Sequence, residues 1–401
     1  MKILFLSNWL PYPPDNGSKL RISNLLNCLA LHHQVSLVSF SDHAQPGEIP
    51  QLPGTYQRVR IVPTRVYNAK SARAVLGFFS PRPRVLVDRF EPLMAEAIEN
   101  EIYAGQYDLV IASQWYMADY YQVFRKIPAI FEELEVGVFT NKVARADNPL
   151  QRLRHGMTTL KLQFYLRDLL SNFDATTVVS ETELDLVRKM APGYRHVEVI
   201  PNGVNLDDYQ AVEPSTQPET LIFTGSLRFF PNYEAMRWFL REVYPRIRAE
   251  VPGVRLTITG DSAGRSLPQA ENIIQTGFVE DIRPLVAASW ISIAPIFSGG
   301  GTRLKILEAM ALRTPVIATS KGAEGLEANP EEHLLLADTP QAFSEAAIRL
   351  IKDPSLRRRL VDNAYQLVRE KYDWEVILPK FLQVVERAAA GIEVPPGLPG
   401  L

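Results

Sequence analysis

The chain has 401 residues, 46% of them hydrophobic and 22% charged, and a formal net charge of -2 at pH 7. That composition is globular and the length exceeds one usual domain, while the near-neutral balance excludes a global pull toward nucleic acid or an anionic membrane and leaves only local patches to supply one. A single cysteine, Cys28, excludes an internal disulfide and a cysteine-rich zinc cluster, and the opening residues lack the long apolar core of a secretory signal, so a reducing, cytoplasmic setting is expected.

In chain order, KILFLS at residues 2–7 is an apolar run, followed by breaker-rich residues 9–17 and helical spacing through Leu20, Leu25, Leu26 and Leu29. Strand, loop and helix are predicted. Further buried strands are predicted at 35–40, 59–62, 109–113, 129–131, 176–180 and 197–200, separated by helical stretches, an alternation that builds a parallel sheet. Residues 207–220 are polar, contain proline and show no apolar period, which predicts a linker. The pattern then restarts, with strands at 221–224, 256–259, 273–276, 291–294 and 315–318 and helices at 234–247, 304–312 and 340–351. The fold class is therefore α/β, with two Rossmann-like, doubly wound parallel-sheet domains at 1–206 and 207–371, whose carboxyl-terminal strand ends face a ligand cleft. No run reaches the roughly 20 apolar residues of a membrane span, since 290–297 is short and interrupted by Pro295. The Pro/Gly-rich tail 394–401 is expected to fray.

The most informative segment is PIFSGGGTRLKILEAMALRTPVIA at 295–318, with three glycines between a buried strand and an amphipathic helix. Gly299, Gly300 and Gly301 allow close approach to an anion, Thr302 can cap the helix, and Arg303 and Lys305 add two cations within one turn. Together they read as a diphosphate cradle, though not as a Walker A loop, because no G-K-[ST] triplet occurs. Glu308, three residues beyond Lys305 on nearly the same face, requires a hydroxyl or cation as partner. A plain glycine turn followed by a surface Lys305–Glu308 pair is the alternative. GSKLR at 17–21 opens the first helix, where Gly17 either faces the cleft or serves the turn alone. The six histidines have no metal spacing and no DxD pair occurs, so neither a metal nor another cofactor is expected.

These segments, with VVSETE (178–183), VIPNGVNLDDY (199–209), FTGSLRFFPN (223–232) and GFVEDIRPL (277–285), resemble the retaining family-4 glycosyltransferases of GT-B fold over essentially the whole chain. The resemblance implies a nucleoside-diphosphate sugar held mainly by the second domain and an acceptor held mainly by the first. It also implies that a last helix, at about 372–390, packs back on the first domain. Glu308 matches the second glutamate of the family's E-x7-E motif, which typically binds the ribose hydroxyls; the first falls at Gly300. Ser226 stands at the usual arginine position, with Arg228 two residues later, so Arg303 and Lys305 are the candidates to stabilise the leaving diphosphate. Val279, with Gly300, Gly301 and Thr302, completes the expected donor contacts. Where many relatives carry a histidine, IFEELEV offers Glu132, Glu133 and Glu135. Glu133 is the candidate for orienting or deprotonating the acceptor hydroxyl, against the alternative that these acids are solvated or cap a helix. Retaining sugar transfer to a glycan, lipid-linked or small-molecule acceptor follows, with no role for nucleic acid. A sugar-nucleotide epimerase of the same architecture and a non-catalytic nucleotide-sugar binder are the alternatives. Residues 73–90 and 152–167 mix arginines with apolar side chains, which suits either a peripheral contact with anionic lipid or an ordinary domain face.

Overall fold

The computed structural model describes residues 1–41, 56–137, 148–212, 216–299 and 303–392, with the backbone alone at 150–152, 154 and 155. Contacts divide the chain into two units, Met1–Pro201 with the chain from Leu378 onward, and Asn202–Ile377. The first unit is built on β1 (Lys2–Ser7), β2 (Gln34–Ser41), β3 (Arg58–Pro63), β4 (Leu109–Ser113), β5 (Ala129–Glu132), β6 (Ala175–Val178) and β7 (Val197–Val199). All pair in parallel, in the order β3-β2-β1-β4-β5-β6-β7. Strands covered by helices on both faces need no polar alternation, and β1 and β4 are buried at nearly every position. The helix Gly17–His32 starts where the Asn16 side chain accepts the Lys19 N–H at 3.1 Å, and it buries Ile22, Leu25, Leu26 and Leu29.

The second unit repeats the plan with β8 (Gln217–Phe223), β9 (Arg255–Thr259), β10 (Ile273–Gly277), β11 (Ser289–Ala294), β12 (Val316–Ala318) and β13 (Leu335–Leu336), ordered β10-β9-β8-β11-β12-β13 and parallel throughout. In each sheet the winding reverses beside the first strand, between β1 and β4 and between β8 and β11. There the connecting loops part to opposite faces and leave a crevice at the carboxyl-terminal strand ends.

The structure departs from expectation at several places. The predicted linker 207–220 is largely structured: Leu206–Gln210 is a helix and β8 already begins at Gln217. The expected single helix at 234–247 is three pieces, Phe230–Trp238, a π turn Phe239–Val243 and Tyr244–Glu250. Pro245 offers no N–H to the regular ladder, and the wider turn absorbs the missing bond. The segment 73–90 holds two short helices, Ala72–Leu76 and Arg84–Arg89. Near the unit boundary, Val204 N–H donates to Tyr372 O at 2.9 Å and Trp374 N–H to Val204 O at 3.0 Å, which stitches the end of IPNGVN into the second unit. Gly203 permits this, because a Cβ there would lie 2.6 Å from the Tyr372 carbonyl oxygen. The helix Trp374–Ala389 passes from the second unit into the first at Leu378, and Arg387 pairs with Glu198 on β7.

Candidate functional site

In the second unit, the turns after β8 and β9 touch. Gly260, at φ +105°, lies so close that a Cβ would meet the Gly225 carbonyl at 2.6 Å, while a Cβ on Gly225 would meet both Asn232 Nδ2 at 2.8 Å and Lys305 Nζ at 2.9 Å. No side chain fits there, so backbone and a cation share one small space. Lys305 reaches it from the helix Leu304–Ala311: its ammonium donates to Asn232 Oδ1 at 3.1 Å and stands 4.1 Å from the centroid of the Phe223 ring. Burial, with Arg303 adding to it and Glu308 opposing, lowers the Lys305 pKa to about 7.

Arg303 precedes that helix and is 8% exposed; its guanidinium donates to Gly299 O at 3.0 Å, folding back on the turn after β11. Glu308 is half-buried and accepts the Tyr209 hydroxyl at 3.4 Å. The carboxylate thus has the hydroxyl partner it requires, and the surface Lys305–Glu308 pair does not form. Burial raises the Glu308 pKa, opposed by the Tyr209 bond and by Lys305. Ser226 Oγ donates to Asp261 O at 3.2 Å and accepts the Arg228 N–H. The Arg228 side chain is 75% exposed and bound to Asp261, the residue after Gly260, at 2.7 Å. Val279 follows β10, half-buried, in the neighbouring turn. Gly300, Gly301 and Thr302 lie outside the described residues.

In the first unit, Glu132 at the end of β5 and Glu133 after it are neither solvated nor capping. Glu132 is fully buried, paired with Arg21 Nε at 2.6 Å and accepting Ser113 Oγ at 2.7 Å. Arg21 also donates to Pro201 O at 3.0 Å, at the end of the unit. Glu133 is 4% exposed and accepts Gln114 Nε2 at 2.6 Å, while Gln114 Oε1 accepts Trp9 Nε1 at 3.1 Å and Asn8 Nδ2 at 3.3 Å. Gln114 (φ 67°) and Glu133 (φ 57°) both hold left-handed backbone, which costs an ordinary side chain about 1–3 kcal/mol and is retained where the surroundings enforce it. Burial, then the neighbouring Glu132 charge, opposed by Arg21, pushes the Glu133 pKa up to about 8. Glu133 is thus held toward its neutral form at neutral pH. Glu135 is half-buried beyond them, and Gly17 sits at the first turn of its helix, half-buried. The acids were visible in the sequence, whereas Gln114 followed a predicted strand without distinction and Tyr209 and Asn232 lay inside quoted segments with no role assigned to them.

Two family descriptions fit these units. Residues 16–203 match the model of the glycosyl transferase 4-like domain, and residues 218–353 match that of the glycosyl transferases group 1. The chain belongs to the group 1, family-4-like glycosyltransferases. An uncharacterised 44.6 kDa protein in the cps region of Klebsiella pneumoniae is 24% identical over 93% of this chain and 96% of its own length. Among solved structures, sucrose-phosphate synthase from Thermosynechococcus elongatus superposes with a TM-score of 0.67 at 20% identity, covering 97% of this chain and 99% of that one. HepE from Anabaena, solved in complex with UDP and glucose, gives 0.66 at 16% identity, covering 96% and 99%. Their likeness shows the GT-B fold in this glycosyltransferase. No helix among the described residues is long and apolar enough to cross a membrane, and no group of three or more His, Cys, Asp or Glu among them is placed to hold a metal ion.

Proposed function

We propose that this glycosyltransferase moves a sugar from a nucleoside-diphosphate donor with retention of anomeric configuration, in the synthesis of a polysaccharide or other glycoconjugate. The reading is carried by Lys305, whose ammonium is delivered to the glycine crossing beside β8 and held there by Asn232, where it can meet the anionic part of a nucleotide. HepE, of the same fold, holds UDP and glucose in its crystal structure. Lys305 and Arg303 stabilise the charge that develops on the departing diphosphate, and Glu308, oriented by Tyr209, takes the ribose hydroxyls. Ser226 and Val279 line the remainder of the donor site, and Gly300, Gly301 and Thr302 are assigned to it from the sequence alone. Glu133, neutral near pH 7, hydrogen-bonds the acceptor hydroxyl, and a glycan or lipid-linked acceptor is the class intended. The reaction runs without a metal ion or other cofactor, in the cytoplasm and in contact with the inner membrane face. Gly300 in place of the motif's first glutamate favours one other reading, a nucleotide-sugar binder without turnover. Calorimetry with UDP, GDP and ADP tests the site: one nucleotide should bind, more weakly to Arg303→Ala and Lys305→Ala, and equal affinity in all three proteins would refute it. Sugar release or transfer undiminished by EDTA supports the metal-free reaction, and binding without either marks the binder.

A further inference from the structure

Two segments of the first unit carry a charge and polarity unlike the rest of the chain. Residues 64–87 hold Arg65, Lys70, Arg73, Arg82 and Arg84, and residues 148–167 hold Arg152, Arg154, Lys161 and Arg167, an excess of cations although Asp88 and Asp168 follow directly and Asp88 stands 4.0 Å from Arg65. The whole chain has slightly more acids than bases, 45 against 43. The same two segments supply ten of the twenty large hydrophobic side chains that stand exposed among the described residues. Scattered exposed apolar groups need no explanation, but a concentration of them bordered by one sign of charge does.

The helix Pro149–Leu170 shows how this arises. Leu162, Tyr165, Leu166 and Leu169 are buried in the core, as one apolar face of a surface helix should be. Leu153, Met157, Leu160 and Phe164 recur at i, i+4, i+7 and i+11, the opposite face, and are 55–67% exposed. A helix that packs one apolar stripe and presents a second has more hydrophobic surface than its own domain can cover. The short helix Ala72–Leu76 and the turn after it lie alongside: Lys161 Nζ donates to Phe78 O and to Ser80 O, and Tyr165 donates to Asp119, which also pairs with Arg82. Phe79 is 88% exposed and Leu76 65%. The Arg84 guanidinium lies over the Phe78 ring at 3.7 Å, an aromatic and a cation offered together. The side chains of Arg152 and Arg154 lie outside the described residues, so their share is that of charge in the sequence alone.

We infer that this surface lays the first unit on an anionic lipid bilayer, with Leu76, Phe79, Leu160 and Phe164 entering the boundary between headgroups and acyl chains and the surrounding Lys and Arg meeting lipid phosphates. An excess of cations, with Arg65 and Arg82 alone among the described side chains paired to acids, suits an anionic surface, and exposed Phe and Leu distinguish a bilayer from nucleic acid, which has no apolar layer to receive them. The inference gives the membrane contact of the transferase reading a definite surface, yet its test needs no nucleotide and can fail or succeed while the donor site does the opposite.

The experiment is co-sedimentation of the full chain with vesicles of phosphatidylcholine alone and of phosphatidylcholine with about one-third phosphatidylglycerol, at low and high salt. The protein should pellet with the anionic vesicles, remain in solution with the neutral ones, and be released by salt. Lys70→Glu with Arg73→Glu, both exposed, should weaken anionic partitioning by at least about 25-fold, roughly fivefold for each cation lost. Phe79→Glu with Phe164→Glu should abolish it while leaving the thermal unfolding midpoint unchanged, the control that these variants fold. Wild-type binding no greater to anionic than to neutral vesicles, or variants that bind like wild type, would overturn the inference. So would a dimer in size exclusion, without lipid, that Phe164→Glu splits, since the surface would then cover a second copy of the chain.

Discussion

A lysine with its pKa lowered to about 7 takes up a proton when an anion arrives, and this makes Lys305 the sharpest test of the donor site. In the free protein at pH 8 an ammonium of that pKa is only about 10% protonated, held down by burial and by Arg303 against the pull of Glu308, with Tyr209 hydrogen-bonded to that same glutamate. A diphosphate beside it restores a pKa near the ordinary lysine value, so binding UDP should take up ~0.9 proton at pH 8, where the lysine alone sets the count. The terminal phosphate of UDP, with a second pKa near ~6, is fully ionised at pH 8 and adds nothing to the count. Isothermal calorimetry in buffers of different ionisation enthalpy reads the proton number from the slope of observed heat. Lys305→Met keeps an apolar stem over Phe223, removes the uptake and, by deleting one charge-assisted hydrogen bond worth about 1.5–3 kcal/mol, weakens UDP by roughly 10- to 150-fold. Uptake below ~0.2 proton at pH 8, or the same uptake in wild type and Lys305→Met, would refute the assignment of this lysine to the diphosphate.

Other variants probe the rest of the site. Glu133 holds its proton in the native state up to about pH 8 whereas the unfolded chain releases it above about 4.5, so its contribution to stability falls as pH rises between those values; Glu133→Gln should flatten the pH dependence of thermal unfolding across that window and unfold later than wild type at pH 8. Identical profiles would mean that the carboxyl is ionised in the native protein. Arg21→Met leaves Glu132 buried without its counter-charge and should cost about 3–5 kcal/mol in urea unfolding, against less than 1 kcal/mol for a replaceable surface pair. Gly260→Ala forces a Cβ toward the Gly225 carbonyl at φ +105° and should cost about 1–3 kcal/mol while reducing UDP affinity, and a fully stable, UDP-binding variant would show that the two turns do not need to touch.

The sheets were legible because parallel strands buried on both faces read as uninterrupted apolar runs, so all the predicted strands appear within a few residues of their expected ends. β13 escaped notice because two residues make no periodic signal. The linker failed for a different reason: Leu206 is the sole buried residue of its five-residue helix, too little for a recognisable pattern, and its Tyr209 finds Glu308 only 99 residues later. The acids at and after the end of β5 illustrate the limit most clearly. Adjacent glutamates in sequence resemble a solvated loop, and nothing local announces that Arg21, 111 positions earlier, neutralises one of them or that Gln114 binds the other. The close approach of the chain to itself falls at Gly225 and Gly260, whereas the glycines that stood out in the sequence were Gly17 and the run at 299–301.

Lys305 and the turn it serves belong to different strand–helix repeats of the same unit: the cation comes from the helix after β11, and its destination is the glycine crossing after β8. A charge can therefore move to another part of the sequence while keeping its address in space, provided that something at the destination receives it, here Asn232. On the proposal that Lys305 serves in place of the arginine expected at Ser226, comparison of aligned columns would score a loss at one position and an unrelated gain at another. The two changes compensate only when read together with the asparagine. Asn232, which need touch no substrate, would then be held as firmly by natural selection as the lysine it positions.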